Sequence, residues 1–533
     1  MSINDKNKYG IIILSYLIFS SSVLILFFIK LFTFFKSYEL YVTSGAEITT
    51  LNFILNFLNG NNLATGGNSN ILYEFYGLNF HLTYLPLIKF CQFFGLSYLL
   101  STRLITLGLI FLLPFIIILI SKNFSSKNFI FKDNLIFFYF LILTFLINHQ
   151  ASSWWILTYR PDILTILFSF VSIYFFFLFI DKNKNYSLFL SIVFCVFSWT
   201  FKQNFLFTFA SIFSYLLIKK KYYHLFFSFS FVVLVLFLLN VVTGYNNLDL
   251  LNRSPEVIAS QLEFKNYFEI LIKYLIKNPY LLAFVFIIFF CTGEIKNNKK
   301  LFLYLVFSFL FLQSSLVAVL HGAGYNHMMA FLFFAVISIC FVDYDLIKRY
   351  YIFISFFLII SSCLNYFQLI NYNKFGRQGL YFNAQEKKGL KDFKIFIQNE
   401  IEKPALLIGG ANRTEMFLSE DLMGKDTFQL VSFIDSSWSQ WLFRSKDQMK
   451  KNEKIFLNKF KDVKTVLVLN KDDKKMNYFD NFLKQNNFRL NSEYILSLYD
   501  NRKNISELET IINFDTNKNP IKKNFVIYKK VTF

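Results

Sequence analysis

Residues 159–182 read YRPDILTILFSFVSIYFFFLFIDK. Eighteen uncharged residues, Ile163 to Ile180, separate a polar head, Tyr159-Arg160-Pro161-Asp162, from Asp181-Lys182, with Lys184 just beyond. A helix crossing a bilayer needs about 20 largely apolar residues, so this stretch predicts a transmembrane helix over 162–180. The same pattern repeats on both sides of it. Eleven candidate spans emerge, at roughly 11–35, 101–121, 134–150, 162–180, 187–201, 203–218, 224–243, 280–293, 301–320, 328–342 and 351–370. The pair flanking Lys202 is short enough to be a re-entrant hairpin, which leaves the parity of the other crossings unchanged. The first run, Ile11 to Phe35, is too long for a cleavable signal and lacks a small-residue cleavage site, so it is expected to remain as an anchor.

Composition agrees with that reading. The 533 residues are 55% hydrophobic and 21% aromatic, with 75 Phe and only 17% charged residues. These values exclude a single soluble enzyme, a disordered chain and a disulfide-stapled secreted domain. Charge is also unevenly distributed. Residues 1–370 carry 25 Lys and Arg against 14 Asp and Glu, and residues 371–533 carry 29 against 20, so the charged fraction rises from about 11% to about 30%. The sequence therefore predicts a polytopic α-helical membrane protein of about 11 transmembrane helices (1–370), with a soluble α/β domain at 371–533.

The net charge of +20 is a topology signal before it is a binding signal. With the N-terminus cytoplasmic, short inner loops hold fifteen Lys and Arg, among them Lys122, Lys127, Lys182, Lys184, Lys219, Lys220, Lys221, Lys299 and Lys300. The longer outer segments before residue 371 hold nine. The positive-inside rule thus predicts an inner-membrane protein with its N-terminus cytoplasmic and residues 371–533 extracytoplasmic. No aromatic-interleaved basic stripe occurs in the tail, so no nucleic-acid partner is expected. The five cysteines lie singly, as small hydrophobes do.

In this topology His81, His149, His321 and His327 share the outer face with Glu47, Arg160, Asp162 and Lys202. The outer mouth of the bundle is the chemically richest region of the sequence. The first outer loop, within 36–100, has no Lys or Arg between Lys36 and Lys89 and includes a Gly/Asn-rich turn at 59–70. Leu78, Leu82, Leu85, Ile88 or Lys89, and Phe93 predict one or two amphipathic surface helices before the second crossing. A long acidic loop with interfacial helices suits a lipid-borne substrate. A second surface helix is expected within 244–279, on Phe264, Phe268 and Ile272.

These blocks resemble the GT-C glycosyltransferases of the protein O-mannosyltransferase and aminoarabinose-transferase type. The counterparts of that family's motifs are Glu47 after the first helix, then Phe57-Leu58-Asn59-Gly60, Tyr84-Leu85-Pro86-Leu87, Phe94-Gly95-Leu96-Ser97 and Arg103-Leu104. Tyr159-Arg160-Pro161-Asp162 and Phe201-Lys202-Gln203 follow. The match covers roughly residues 36–210. It departs at Ala46-Glu47, where relatives often have Asp-Glu, and at Pro86, where they have a Pro-Pro pair.

The resemblance implies a GT-C-like fold and transfer of a sugar from a polyprenyl-phosphate donor to a lipid, glycan or protein acceptor, without metal or other cofactor. Such a transfer needs a carboxylate to take the acceptor proton and cations to stabilise the leaving phosphate. Glu47 is the expected base, although Ser44 and Glu47 also fit a helix capping box. Arg160 and Lys202 are the expected donor-phosphate ligands, by a planar fork and a point charge respectively. Asp162 would orient Arg160 or bind acceptor, and His81 and Tyr84 would contact substrate. His321-Gly322-Ala323-Gly324-Tyr325-Asn326-His327 forms a further constellation, in which His321, Tyr325, Asn326 and His327 are candidate substrate contacts. Two other readings fit a multi-helix protein with large outer loops. An O-antigen polymerase or ligase usually keeps its largest loop late in the helical series, and a lipid-linked sugar transporter wants paired mid-bilayer polar sites and an internal repeat.

In the tail, helix-like runs (Leu390–Ile401, Lys451–Phe460, Tyr478–Asn486) alternate with strand-like ones (Ala405–Ile408, Thr465–Leu469, Phe525–Tyr528). Trp438 and Trp441 read as core residues or as a glycan-binding pair.

Overall fold

A computed structural model describes residues 3–36, 47, 50–51, 54–55, 58, 77–124, 136, 139–140, 142–144, 158–202, 206–243, 268–269, 272, 276, 279–280, 282, 297–318, 349–370, 384–409, 427–431, 462–469, 482–498 and 521–531. Before residue 371 the described elements are helices. They are α1 (Ile3–Lys36), α2 (Leu78–Phe93), α3 (Tyr98–Phe124), α4 (Asp162–Lys182), α5 (Asn185–Phe201), α6 (Phe207–Ile218), α7 (Tyr222–Thr243), α8 (Asn297–Ala318) and α9 (Tyr351–Ile370). Among the described residues four helical segments are long and apolar enough to cross a membrane: Asn7–Ile29, Tyr98–Ile120, Asp162–Lys182 and Tyr222–Val242. Asn185–Phe201, Phe207–Ile218 and Tyr351–Phe367 are shorter and equally apolar. At 1.5 Å per residue, α6 spans only about 18 Å, less than the roughly 30 Å hydrocarbon core. The expected spans at 280–293 and 328–342 lie almost wholly outside the described residues.

The helix ends follow from local chemistry. α4 starts at Pro161, whose carbonyl accepts the Thr165 N–H at 2.8 Å. Asp162 in its first turn and Lys182 in its last complement the helix dipole. It stops at Asn183, left-handed at φ 48°, whose N–H closes on Phe179 O at 2.8 Å. The chain then turns straight into α5.

Serine hydroxyls join α4 to α5. Ser169 Oγ meets Ser198 Oγ at 2.6 Å, Ser172 donates to Ser191 O at 2.7 Å, and Ser191 donates back to Ser172 O at 2.9 Å. Small side chains let two helices approach closely, and their hydroxyls find partners where water is absent. α6 begins against α8, where Gln313 Oε1 accepts the Leu206 and Phe207 N–H groups at 2.9 and 3.1 Å. That satisfies backbone donors which a bilayer could not. α1 meets α9 through Asn365 Nδ2 to Ser22 Oγ at 3.1 Å and Ser21 to Tyr366 at 3.0 Å. Phe176, Phe177, Tyr215 and Phe302 form the centre of the apolar core, with Phe176 and Phe302 centroids 4.5 Å apart. α7 instead turns Phe226, Phe229, Phe237 and Val242 outward, as a lipid-facing helix does.

After residue 383 come α10 (Ala384–Glu400) and strands β1 (Ala405–Gly409), β2 (Thr427–Val431), β3 (Thr465–Leu469), β4 (Phe488–Leu498) and β5 (Ile521–Lys530). They form one five-stranded mixed sheet in the order β2-β1-β3-β5-β4. β1 pairs in parallel with β2 and β3, while β5 runs antiparallel to β3 and β4. Central strands buried on both faces are apolar throughout: Leu406, Leu407, Val466, Leu467 and Val468 are all buried. α10 covers one face, with the Tyr494 ring 5.3 Å from Phe393 and 4.9 Å from Phe396. Phe393, Ile397, Leu407, Leu467 and Ile527 belong to the same buried apolar cluster as Leu51, Ile54 and Leu55. The expected helix at 451–460, and Trp438 and Trp441, lie outside the described residues.

Candidate active site

Residues 47, 50, 51, 54, 55 and 58 are helical. They fall at i, i+3, i+4, i+7, i+8 and i+11, on one face of a helix. Glu47, Thr50, Leu51, Ile54 and Leu55 on that face are buried. Glu47 therefore enters the protein at the start of an inward-facing stripe. Its carboxylate meets Arg103, on the second turn of α3, in a two-bond pair: Nε to Oε1 at 3.1 Å and Nη2 to Oε2 at 3.0 Å. The Tyr159 N–H also donates to Oε1 at 3.1 Å. Glu47 thus ties three distant segments of chain together, a different role from capping its own helix.

From Tyr159 the chain passes directly to the second charged group. Asp162 Oδ1 lies 2.5 Å from Lys202 Nζ, and Oδ2 lies 3.4 Å from Arg160 Nε. Lys202 stands where α5 has just ended, at φ −145° and ψ 106°, which carries its ammonium across to the start of α4. Phe201 O accepts the Gly77 N–H at 3.2 Å, bringing α2 to the same place. All five charged side chains are buried, none more than 7% exposed. Burying a charge is costly unless it is paired, and ionisable groups within a membrane bundle default to a functional role.

An aromatic wall stands beside the charges. His81 Nδ1 lies 2.8 Å from Tyr159 Oη, and Tyr84 Oη lies 3.0 Å from Thr106 Oγ1. The Tyr159 ring has centroids of Phe80 and Tyr84 at 5.0 Å each. These residues define the buried side of α2: Phe80, His81, Tyr84 and Ile88. The expected stripe is corrected accordingly. Leu82 and Leu85 are only partly buried, while Lys89 and Phe93 are exposed. Leu87, Phe90, Phe93 and Phe94 form an exposed apolar side, while the buried side mixes apolar Leu78, Phe80 and Ile88 with polar Asn79, His81 and Tyr84. One helix occupies the stretch, and it ends in a turn at Gly95, which takes φ +74°.

Six of the expected residues, Glu47, Arg160, Asp162, Lys202, His81 and Tyr84, thus come together. His321, Tyr325, Asn326 and His327 lie outside the described residues, as does the turn at 59–70. In the expected surface helix of 244–279, Phe268, Ile272 and Ile276 share one exposed apolar face. Arg103 and Tyr159 are the residues whose place in the cluster motif reading left unassigned. Their signal was available: Arg103 is the one charge in the apolar segment Tyr98–Ile120, and Tyr159 abuts Arg160. Among the described residues no three His, Cys, Asp or Glu side chains gather as a metal site would require.

Basic side chains collect at the opposite helix ends. Lys299 Nζ lies 2.6 Å from Asp181 Oδ2, and Lys221 Nζ donates to Asn183 Oδ1 at 2.7 Å while standing 4.5 Å over the Phe179 ring.

No family model matches this chain. No curated protein matches it either. Among solved structures it is similar to the crystal structure of ArnT from Cupriavidus metallidurans in the apo state, with a TM-score of 0.48 and 8% identity, over 95% of this chain and 97% of that one. At that identity and score, function has to be read from the buried cluster.

Proposed function

We propose that the chain is an integral-membrane, inverting glycosyltransferase that moves a sugar from a polyprenyl-phosphate donor to a lipid, glycan or protein acceptor at the outer face of an inner membrane. The observation that carries this reading is the buried cluster of two carboxylates and three cations. Its residues come from the first outer loop and from the ends of α3, α4 and α5.

Each group has a role. Arg160 and Lys202 hold the phosphate oxygens. Glu47, held in plane by the Arg103 fork and by the Tyr159 N–H, takes the acceptor proton. The acceptor oxygen attacks the anomeric carbon on the face opposite the phosphate. The carbon–oxygen bond to phosphate breaks, and its electron pair leaves on the phosphate oxygen, where the two cations stabilise the growing charge. One displacement gives inversion. The aromatic wall of Phe80, His81, Tyr84 and Tyr159 offers stacking faces and polar edges to a sugar.

Purified protein incubated with labelled polyprenyl-phosphate and polyprenyl-diphosphate sugars tests the proposal. Monophosphate-dependent transfer is expected, reduced at least about 100-fold in Glu47→Gln per unit of folded protein. Near-normal turnover in Glu47→Gln would remove Glu47 as the base. Chain growth from a diphosphate donor alone would favour a polymerase.

A further inference from the structure

We propose that the basic helix ends opposite the buried cluster form a binding surface for an anionic phospholipid, with Lys182, Lys184, Lys219 and Lys220 around the headgroup phosphate and the outward face of α7 along an acyl chain. No part of this surface belongs to the candidate active site.

Two turns build the basic part. α6 ends at Lys219, where the Lys221 N–H reaches Leu216 O at 2.8 Å and the Lys220 N–H reaches Leu217 O at 2.9 Å. Those two bonds are the pattern of a Schellman stop, whose left-handed position glycine usually fills. Here Lys220 fills it, at φ 53°. The turn is locked onto the one that follows α4. Lys221 Nζ donates to Asn183 Oδ1 at 2.7 Å and stands 4.5 Å over the Phe179 ring, and His224 Nε2 lies 3.3 Å from Asn185 Oδ1. Lys221 is thus held against the fold, whereas Lys182, Lys184, Lys219 and Lys220 are exposed. Among the described residues none of these four makes an ion pair, and Asp181, the acid beside them, is held by Lys299 at 2.6 Å. Like charges on two turns fixed side by side repel, and an anion seated between them relieves that repulsion. Basic clusters at the ends of transmembrane helices recognise anionic headgroups in this way.

The adjoining helix points to a lipid rather than to soluble phosphate. α7 begins at Tyr222, directly after the lysine run, and is scarcely buried along its length. Tyr222, Phe226, Phe229, Val233 and Phe237 fall at i, i+4, i+7, i+11 and i+15, and each is more than half exposed. They form one outward stripe that starts at the lysines. At 1.5 Å per residue it runs about 22 Å, longer than the roughly 15 Å hydrocarbon depth of one leaflet. A phosphate held at the lysines therefore has its acyl chains against this stripe. Orientation by the positive-inside rule needs only positive charge near the helix ends, whereas a lipid site needs these lysines in this place.

Native mass spectrometry of the detergent-purified full chain, titrated with dioleoylphosphatidylglycerol, dioleoylphosphatidylcholine or glycerol phosphate, tests the proposal. The phosphatidylglycerol should bind at least about 10-fold more tightly than the phosphatidylcholine, and an equal concentration of glycerol phosphate should not displace it. Each lysine near an anionic headgroup contributes about 5-fold in affinity, so Lys219→Gln with Lys220→Gln should weaken the phosphatidylglycerol about 25-fold and leave the phosphatidylcholine within about 2-fold. Lys182→Gln with Lys184→Gln, in the other turn, should act in the same way, which keeps the idea testable should the first pair fold poorly. Phe226→Ser with Phe229→Ser should weaken both lipids. Lys391→Gln with Lys484→Gln removes the same charge from exposed positions around the sheet and should alter neither. Equal binding of the two lipids by the unaltered chain, or an equal loss in the Lys391 and Lys484 control, would reduce the lysines to a topology signal and overturn the proposal. Displacement by glycerol phosphate would overturn it as well, since the ligand would then be a phosphate and not a lipid.

Discussion

Arg103 and Glu47 are the pair on which the candidate site depends most directly. A buried bidentate pair tolerates loss of one partner poorly, because the other is left as an uncompensated charge, at a cost of about 3–5 kcal/mol. Arg103→Gln should therefore lower the unfolding temperature and the yield of folded protein in detergent. Glu47→Gln combined with Arg103→Gln should regain most of that stability while staying inactive. Failure of the double variant to recover stability would show that the pair is not coupled. Arg103→Lys keeps the charge but loses the fork, so turnover should fall about 10- to 100-fold with little loss of folded protein. The charged members of this site were legible because charge is scarce before residue 371, so Glu47, Arg160, Asp162 and Lys202 stood out. Arg103 did not, since a lone cation near a helix end also fits lipid headgroups. Only the long-range contact to Glu47 separates the two cases.

The hairpin of α4 and α5 is the element that sets the distance between Arg160 or Asp162 and Lys202. Asp162 opens α4 and Lys202 follows α5, so any change in the packing of the two helices moves Arg160 and Asp162 relative to Lys202. Ser172 sits in the serine ladder ten residues after Asp162, and its partner Ser191 lies eleven residues before Lys202. Ser172→Leu forces a branched side chain between closely packed helices, a strain of about 1–3 kcal/mol. It should reduce turnover and thermal stability together. Ser172→Ala removes one interhelical hydrogen bond, worth about 0.6 kcal/mol, and should leave both nearly unchanged. A Leu variant with full activity would show that the hairpin spacing is not critical. The helices and central strands were readable for a common reason: long apolar runs admit few alternatives. The edge strands were not. β2, TFQLV, and β4, FRLNSEYILSL, mix polar with apolar residues because an edge strand is partly solvated, and β4 also has a register shift between Leu490 and Ser492. The buried side of α2 was only partly readable because apolar residues lie on both sides: Leu78, Phe80 and Ile88 inward beside Asn79, His81 and Tyr84, and Leu87, Phe90 and Phe93 outward.

Across the whole molecule the two ends of the helix bundle carry different charge chemistry. The buried cluster lies where α4 starts and α5 ends, and Lys182, Lys221 and Lys299 lie at the other end. Cytoplasmic loops of membrane proteins are enriched in Lys and Arg, so this polarity predicts the lysine end inside and the cluster outside. The odd number of crossings expected from the sequence predicts the sheet that follows α10 on the outer side, with the cluster. In a cysteine-free background, a membrane-impermeant maleimide should label Asp462→Cys in intact cells, since Asp462 is 79% exposed. Asn183→Cys, in the turn between α4 and α5, should react only after permeabilisation. The reverse pattern would invert the molecule and turn the candidate site toward the cytoplasm. Labelling of both in intact cells would place α4 and the sheet on one side and require an even number of crossings between them. Either of the first two patterns keeps the sheet, the apolar cluster it shares with Leu51, Ile54 and Leu55, and Glu47 in one compartment, and only the first makes that compartment the outer one.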